Sequence, residues 1–330
     1  MDSHVRSLLV ACTGAEDVER AGSLQSLWRG YGSIDRYRLT GGAKGSVIVK
    51  HVRFPGVADN GDGYPREQAG NLSDRRKRRS YEVETQWYRQ WATQCDDACR
   101  VPRCLGATGD EDEVLIVLED LAAEGFVPVR RQVSMDHVQR CLYWLAHFHA
   151  QFMGRQPAGL WPVGTYWHLE TRPDEWQVMN DHDLKQAAHW LDETLSQAPY
   201  PTLVHGDAKL ANFLFSRSGQ CVAAVDFQYV GGGCAMKDLA YFVSSCFDEG
   251  DCERYEARLL DDYFTALKSA LRARRPDIAD VADVERALRP LYPVAWTDFY
   301  RFLNGWSPGH WKVHGYSARL ARQVLASIPG

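Results

Sequence analysis

Four polar side chains lie close together in the second half of the 330-residue chain, each beside an apolar run. They are Asp207, Lys209, Asn212 and Asp226, within HGDAKLANFLF (205–215) and VDFQ (225–228). An aspartate can accept a hydroxyl proton, and amide and carboxylate oxygens are ligands that magnesium prefers. A lysine two residues after the aspartate could reach a γ-phosphate. This spacing is typical of the catalytic loop and metal-binding aspartate of phosphoryl transfer.

Short apolar segments flank these side chains and indicate how they are held. Residues 201–204 and 213–215 are typical of buried strands, and 220–225 predicts another that ends at Asp226. Residues 216–219 predict the turn between them. The polar residues are therefore expected at strand ends, where a sheet can fix them.

The histidine of the first motif, His205, is expected to be a packed, hydrogen-bonded residue that shapes the loop rather than a proton carrier. Asp207 alone could be an ordinary turn residue or helix cap. Its combination with Lys209, Asn212 and Asp226 favours the catalytic interpretation.

These motifs, together with KDLAYF at 237–242, resemble the aminoglycoside phosphotransferase and choline kinase group of the protein-kinase-like superfamily. The closest likeness is to its ecdysteroid-kinase-like branch, whose members carry similar HGD…N, DFQ and DLAYF signatures. The resemblance covers about residues 22–306. It implies a bilobal α+β fold, with a small antiparallel-sheet N-lobe over 1–120 and a larger, mainly helical C-lobe over 121–330. It also implies ATP and Mg²⁺ as cofactors.

A nucleotide-binding lobe requires a loop that covers phosphates. Residues 22–28 and 34–39 predict two strands joined by RGYGS (29–33). Glycines in such a join let backbone N–H groups approach phosphates, whereas an ordinary hairpin turn is the alternative for this short pattern alone. Its position before the next strand favours the phosphate-covering loop. The residues assigned to nucleotide binding here are Gly30, Gly32 and Ser33.

A β-branched run at 46–52 contains Lys50. In kinases, a lysine on the third strand contacts the α- and β-phosphates and pairs with a glutamate on the next helix. The helical pattern at 81–91 offers two such residues; the aromatic-x-x-Glu-x-x-x-Tyr pattern of the related families selects Glu84, and Glu82 remains possible. The ordinary alternatives are a solvent-facing lysine and glutamates that only solvate the helix.

Two other basic features are expected to lie in solvent. The segment GGAKG (41–45) lacks the length and the following helix of a Walker loop, so Lys44 is expected to be a solvated turn residue. The run DRRKRR (74–79) could contact nucleic acid or an acidic ligand, but a solvated helix face is the usual outcome. A net charge of −5 argues against a nucleic-acid-binding protein.

Two further segments belong to the expected nucleotide lobe. Residues 54–71 are rich in Gly, Pro, Asp and Asn and predict a long loop that is either a lid or disordered. Residues 113–121 predict a buried strand, after which the resemblance implies a hinge at 118–121 whose backbone holds adenine. Glu119 and Leu121 are its assigned residues, although Glu119 could simply solubilise the strand end.

Helical patterns dominate the remainder of the chain, at 137–153, 181–196, 253–274 and 284–300. Asp238 opens another apolar helix and is expected to be its N-cap. The resemblance additionally implies that Asp238 supports the catalytic loop from behind.

The acceptor is expected near Asp207, and the candidate surroundings are rich in aromatic residues interleaved with acids. The aromatic residues are Tyr292, Trp296, Phe299, Tyr300, Trp306 and Trp311, and the acids are Asp248, Glu249, Asp251 and Asp298. Aromatic faces could hold a quaternary ammonium, acids could hold a polyamine sugar, and an apolar wall would suit a bulky alcohol. Most of these aromatic residues could instead belong to the core.

Composition sets the remaining limits. No run approaches the ~20 apolar residues of a membrane span, and 7–12 is too short for a secretory signal. Nine cysteines without paired Cys-x-x-Cys units are typical of reduced thiols, which favours a cytoplasmic location. The irregular spacing of Cys95, Cys99 and Cys104 argues against a zinc site.

We therefore expect a kinase that transfers the ATP γ-phosphate to a small-molecule alcohol or aminoalcohol. Asp207 would be the base, Lys209 a charge on the γ-phosphate, and Asn212 and Asp226 the Mg²⁺ ligands. A nucleotide-binding pseudokinase scaffold is the alternative. A protein kinase is less favoured, because Gln228 replaces the usual glycine and the HGD motif lacks an arginine.

Overall fold

The computed structural model describes residues 3–54, 72–129 and 133–328. A five-stranded antiparallel sheet occupies the first part, in the order β1-β2-β3-β5-β4. Its strands are β1 (Asp17–Ser26), β2 (Gly32–Thr40), β3 (Ser46–Arg53), β4 (Cys104–Gly109) and β5 (Glu113–Glu119). The β-branched run of β3 lies between β2 and β5, which places its middle residue, Lys50, opposite Ile116 at the centre of the sheet.

Two helices pack on this sheet. The first, α1 (Ser3–Thr13), buries Val5 and Leu9 against one face and was not predicted from sequence. The second is α2 (Leu72–Gln86), which continues as a π-helical turn over Trp87–Trp91. The helix predicted over 81–91 is therefore present but begins nine residues earlier, and the loop predicted over 54–71 lies outside the described residues except for Phe54.

The hairpin between β1 and β2 depends on glycine. Leu27 N–H donates to the Gly32 carbonyl over 2.8 Å, and Trp28–Gly30 forms a short 3₁₀ turn. Gly32 has φ +150°, and a Cβ at this position would overlap the carbonyl oxygen of His51 on β3. The close approach of two backbones therefore requires glycine here.

We expect Gly32→Ala to lower the free energy of unfolding by about 2–3 kcal/mol, because the side chain both strains the backbone and separates β2 from β3. Urea unfolding monitored by circular dichroism measures the loss. Gly45→Ala is the matched control, since Gly45 has open space around it, and it should change stability by less than about 1 kcal/mol. Equal effects of the two substitutions would show that the close approach of β2 and β3 does not require glycine at position 32.

The larger part of the chain is mainly helical. Its helices are α3 (Met135–Phe152), α4 (Pro173–Gln177), α5 (His182–Ser196), α6 (Ala235–Cys246), α7 (Glu249–Arg274), α8 (Val281–Leu288), α9 (Tyr292–Trp306) and α10 (Gly315–Ala326). The helices predicted at 137–153, 181–196 and 253–274 are confirmed. The single helix predicted over 284–300 is wrong: α8 ends at Leu288 and α9 begins at Tyr292. Pro290 and Pro293 explain the break, because proline has no N–H to continue the helical hydrogen bonds.

Two small antiparallel sheets hold the segment between α5 and α6. One pairs β7 (Thr202–Val204) with β10 (Gly231–Gly233), and the other has the order β6-β8-β9. These strands are β6 (Val127–Pro128), β8 (Phe213–Phe215) and β9 (Val222–Ala224). The strands predicted around the polar motifs are confirmed, and so is the α+β class with a small antiparallel sheet and a larger helical part.

Within the described residues, no helix is both long and apolar enough to cross a membrane. All nine cysteines are free thiols. The same part of the chain contains no cluster of three His, Cys, Asp or Glu side chains arranged to hold a metal ion.

Candidate active site

The turn after β7 places Asp207 at the centre of the candidate site. Asp207 Oδ2 accepts hydrogen bonds from Lys209 Nζ at 2.8 Å and from Asn212 Nδ2 at 3.1 Å, and that amide also donates to the Asp207 carbonyl. Burial raises the pKa of Asp207, Lys209 opposes this and Asp226 adds to it. The turn therefore holds a carboxylate with increased basicity next to an ammonium and an amide.

The second acid, Asp226, follows β9 and has φ +69°, an unusual conformation for a residue with a side chain. Its Oδ1 accepts from Gln228 Nε2 at 2.8 Å and lies 3.4 Å from Lys50 Nζ. Burial alone would raise the pKa of Asp226, but Lys50, Lys77 and Lys209 outweigh it and lower this pKa. Asp226 is thus an ionised carboxylate surrounded by cations.

The aromatic residue after Asp226 fixes this turn to the surrounding helices. Phe227 is fully buried and stacks on Trp87 of the π-helical turn, with ring centroids 4.4 Å apart. It also contacts Phe148 of α3 at 6.2 Å and His205 at 4.5 Å. The position of Asp226 is therefore tied to both the helix of the sheet part and the helical part.

Lys50 and Glu84 form a buried ion pair, with 2.6 Å between Nζ and Oε2. Burial opposes the charge of Lys50, but Glu84 and Asp226 outweigh it and raise the pKa of Lys50. Glu82, the alternative partner, is exposed and pairs with Arg79 at 3.0 Å. Glu84, and not Glu82, is therefore the partner of Lys50. The same lysine also contacts Asp226, which lies far away in the sequence.

Asp238 lies in the first turn of α6 and contacts the Asp207 turn directly. Its carboxylate accepts the N–H groups of His205 at 2.6 Å and Gly206 at 2.9 Å, and lies 3.2 Å from His149 Nε2. The prediction that Asp238 is an N-cap is wrong: the helix begins at Ala235 and its N-cap is Cys234. The carboxylate instead points back toward the turn, where it holds two backbone donors.

His205 is fully buried within this turn. Its Nδ1 accepts the Asp207 N–H at 3.2 Å, and its Nε2 lies 3.1 Å from the Val225 carbonyl, to which only a protonated nitrogen can donate. Burial lowers the pKa of His205. A neutral histidine therefore connects the Asp207 turn to the strand that leads to Asp226.

Hydrogen bonds within the glycine loop (residues 29–33) hold its centre in place. Gly30 N–H and Tyr31 N–H donate to carbonyls within the 3₁₀ turn, both at 3.1 Å, and Ser33 Oγ donates to Asp35. Tyr31 is buried, and its hydroxyl donates to Asp74 of α2. The loop that contains Gly30, Gly32 and Ser33 is thereby held against the helix that carries Glu84.

The acids at the end of β5 are buried in ion pairs instead of solubilising the strand. Glu119 accepts from Arg100 at 3.2 Å. Lys44, predicted to be a solvated turn residue, is only partly exposed and lies 3.8 Å from Glu119. Asp120 accepts from Arg36 at 2.7 Å. The carbonyl of Leu121 accepts the Phe126 N–H, which turns the chain after the strand. These contacts fix the backbone segment predicted to be the hinge.

Sequence reasoning missed Lys77, which belongs to the basic run at 74–79. The run was predicted to be a solvated face, and this is wrong for Lys77: its Nζ donates to Gln228 Oε1 and lies 4.7 Å from the centre of the Tyr81 ring. Burial and the nearby Lys50 lower the pKa of Lys77 to about 8. The sequence feature that could have identified Lys77 is its spacing of seven residues from Glu84, which places both side chains on one helix face.

The aromatic residues predicted near the acceptor divide into two groups. Tyr292 and Trp296 are buried beside Tyr316 and belong to the core, as does Tyr300. Phe299 instead contacts Tyr241 of α6 at 4.9 Å, and Trp306 and Trp311 are half exposed.

The acids of this region do not form a polar lining. Asp298 is buried and accepts from Trp167 Nε1 at 3.0 Å and Arg301 at 2.8 Å. Asp248 caps α7, whose first turn contains Glu249 and Asp251.

Comparison with known proteins identifies one family and a set of similar folds. Residues 27–276 match the model of the phosphotransferase enzyme family. No curated protein sequence matches significantly. Among solved structures, a complex of amicoumacin kinase with AMP-PNP, Ca²⁺ and amicoumacin is 14% identical, with a TM-score of 0.53 and coverage of 100% of this chain and 95% of that chain.

Two other similar structures have lower TM-scores. Aminoglycoside phosphotransferase APH(4)-Ia with ADP and hygromycin B is 14% identical, with a TM-score of 0.47 and coverage of 99% of this chain and 100% of that chain. A fructosamine-3-kinase-like protein of Haemophilus somnus is 13% identical, with a TM-score of 0.45 and coverage of 97% and 96%.

Proposed function

The chain belongs to the phosphotransferase enzyme family, and we propose that it transfers the γ-phosphate of ATP to a hydroxyl group of a small molecule. The observation that carries the proposal is the meeting of Lys50, Glu84 and Asp226, from three distant segments, beside the Asp207 turn. Several lysines around an ionised carboxylate are suited to a polyphosphate and its metal ion.

The donor atoms of the site fit a magnesium ion. Asp226 supplies an ionised carboxylate and Asn212 an amide oxygen, an oxygen-only set of the kind that Mg²⁺ prefers. When bound, Mg²⁺ would neutralise charge on the phosphate oxygens. We assign Asn212 and Asp226 as its ligands and Lys50 as the contact to the α- and β-phosphates, with Glu84 holding the lysine. We further propose that the loop of Gly30, Gly32 and Ser33 and the segment Glu119–Leu121 hold the nucleotide.

On the acceptor side, Asp207 would orient the hydroxyl group and accept its proton, because its carboxylate is buried and its pKa is raised. Lys209 is positioned 2.8 Å from this carboxylate and would add positive charge at the γ-phosphate. His205 and Asp238 would act through the turn: together they fix its backbone, and neither would contact the substrate. The proton thus moves from the acceptor hydroxyl to Asp207.

We propose that residues 1–120 form the nucleotide-binding lobe and that residues 121–330 form the catalytic and substrate-binding lobe. The HGD…N, DFQ and DLAYF motifs make the ecdysteroid-kinase-like branch our proposed placement within the family. The nine free thiols support a cytoplasmic protein.

The test is ADP release with Mg²⁺ and ATP across aminoalcohols, aminoglycosides, sugars and steroid-like alcohols. We expect one class to stimulate release well above the rate without acceptor, and EDTA to abolish it. Tight nucleotide binding with no stimulated turnover across the panel would instead favour a pseudokinase scaffold. Phosphorylation of protein but of no small molecule would favour a protein kinase.

We further propose that the Lys77 ammonium, which lies near Lys50 and Asp226, contacts the phosphates of the nucleotide. We expect Lys77→Met to raise the KM for ATP about 10- to 100-fold, the equivalent of one charge-assisted hydrogen bond. Wild-type affinity should fall as the pH rises through about 8, because the Lys77 ammonium loses its proton there. The charged groups that act on Lys77 are Lys50, Glu84, Asp207 and Asp226.

The controls for this prediction are two variants of the same basic run. Lys77→Arg retains the charge, so its affinity should stay high beyond pH 8. Arg75→Met removes an exposed charge and should leave the KM unchanged. If Lys77→Met and Arg75→Met behave alike, the proposed contact between Lys77 and the nucleotide is wrong.

A further inference from the structure

The segment between α9 and α10 places a lysine inside an aromatic cage. The Nζ of Lys312 lies 4.6 Å from the ring centre of Tyr241, 5.3 Å from that of Phe299 and 5.5 Å from that of Trp311. It also donates to Ser244 Oγ at 3.2 Å, and the residue is only 7% exposed. Three ring faces within about 6 Å are the arrangement that binds an organic cation, and a cation of the chain itself occupies it.

This cage borders the proposed acceptor position. The ring of Tyr241 lies 5.5 Å from that of Tyr166, whose backbone N–H donates at 3.2 Å to the carbonyl of Gly206, the residue before Asp207. Burial lowers the pKa of Lys312 to about 8, and Asp207 and Lys209 both act on it electrostatically. At pH 7 Lys312 is therefore mainly protonated, and its ammonium lies close enough to Asp207 for the two charges to interact.

The aromatic surface continues from the cage to the outside. Phe302 contacts Tyr166 at 5.5 Å and stacks on Trp306 with 5.6 Å between ring centroids. Trp306 is 52% exposed and Trp311 is 57% exposed. Large exposed aromatic rings that continue a buried aromatic cluster indicate a surface for a flat apolar ligand.

Two acids near this wall are paired with cations. Asp298 is held by Arg301, and Lys237 lies 3.7 Å away. Glu175 accepts from Arg172 at 2.8 Å.

Two cations remain in addition to those ion pairs. Arg76 donates to a backbone carbonyl, that of Thr171, and Lys312 donates to a hydroxyl group. The Lys312 ammonium inside the cage therefore opposes a cationic ligand there and favours an anionic one.

We infer that the acceptor is a flat, apolar alcohol that is neutral or anionic, and that polyamines and quaternary ammonium alcohols are excluded by Lys312. The inference rests on the proposed function, because it concerns the acceptor of that same reaction. Lys312 fills the aromatic cage that a cationic acceptor would need, and Asp298 and Glu175 are engaged by arginine and lysine. An apolar framework would lie on Trp306 and Trp311, with any carboxylate directed at Lys312.

Three matched probes test the charge preference: hydroxymethyl-naphthoate, hydroxymethyl-naphthalene and hydroxymethyl-naphthyl-trimethylammonium. Their binding to the wild-type protein with AMP-PNP and Mg²⁺ is measured by tryptophan fluorescence. We expect the naphthoate to bind at least about tenfold more tightly than the trimethylammonium probe, with the neutral alcohol between them. A trimethylammonium probe that binds as tightly as the naphthoate, or a failure of all three to bind, would overturn the inference.

Variants identify the responsible charge. Lys312→Met preserves the length of the side chain and should abolish the preference, whereas Lys268→Met on α7 removes a lysine that pairs with Glu285 and should retain it. A preference unchanged by Lys312→Met, in a variant with wild-type circular dichroism, also overturns the inference. If that variant fails to fold, the wild-type probe series decides alone.

ADP release with the same probes separates the two proposals. A retained charge preference without any ADP release counts against the phosphotransferase function and leaves the binding inference standing. ADP release that is stimulated equally by the cationic and anionic probes counts against the inference and leaves phosphoryl transfer standing.

Discussion

Asp207→Asn is expected to reduce the turnover number of phosphoryl transfer by about 10²–10⁴-fold. The substitution preserves the size of the side chain and one oxygen for Lys209 and Asn212, but it removes the group that accepts the hydroxyl proton. Nucleotide affinity should change little, because Lys50 and Asp226 hold the polyphosphate in our assignment. ADP release at saturating ATP and acceptor measures the first effect, and titration with AMP-PNP measures the second.

The pH dependence provides an independent check on Asp207. A base must be deprotonated to act, so the rate falls as the pH drops through its pKa. Since burial raises this pKa, the acid limb should lie above the ordinary aspartate range and should be absent from the residual activity of Asp207→Asn. Asp183→Asn changes an exposed aspartate at the start of α5 and is the matched control. Equal rates for the two variants would exclude Asp207 as the base.

Asp238→Ala is expected to lower the free energy of unfolding by about 3–5 kcal/mol. The substitution leaves the buried N–H groups of His205 and Gly206 without their acceptor and removes the partner of His149 Nε2. Each unpaired buried donor costs about 1–3 kcal/mol, which is a large fraction of the ~5–15 kcal/mol that stabilises a typical protein. Urea unfolding followed by circular dichroism and by tryptophan fluorescence measures the loss.

The control for Asp238 is Asp136→Ala, which removes an exposed acid from the first turn of α3 and should cost less than about 1 kcal/mol. Asp238→Asn is informative as well. It keeps one acceptor oxygen but directs an amide N–H₂ group at a second buried N–H, so it should recover only part of the loss. If the free energy of unfolding of Asp238→Ala lies within about 1 kcal/mol of the wild-type value, the turn that carries Asp207 does not depend on this carboxylate.

The parts of the structure that could be predicted from sequence are those specified within a few residues. Asp207 and Asn212 share one turn between two apolar strands, so five positions of sequence determine their contact. Lys50 could be located because β-branched residues on both sides of it predict a central strand. For these residues, the local sequence pattern was sufficient to predict the contact or the strand position.

The failures concern residues whose surroundings come from distant segments. In the local sequence, Lys77 resembles the other charged residues of a solvated helix face. Its contact with Gln228 depends on the packing of α2 against the turn after β9. The N-cap prediction for Asp238 was wrong because its partners lie more than 30 residues earlier, and only the family resemblance indicated its contact with the Asp207 turn. The break between α8 and α9 could have been predicted, because Pro290 and Pro293 were visible in the sequence.

The stacking of Phe227 on Trp87 has a consequence for how the molecule melts. Because Phe227 follows Asp226 and Trp87 follows the helix that carries Glu84, the two halves of the site share one buried aromatic contact. Neither half can lose its order without exposing a ring that the other half buries. Denaturation should therefore be cooperative across the candidate site, and partly unfolded chains that retain half of it should be scarce.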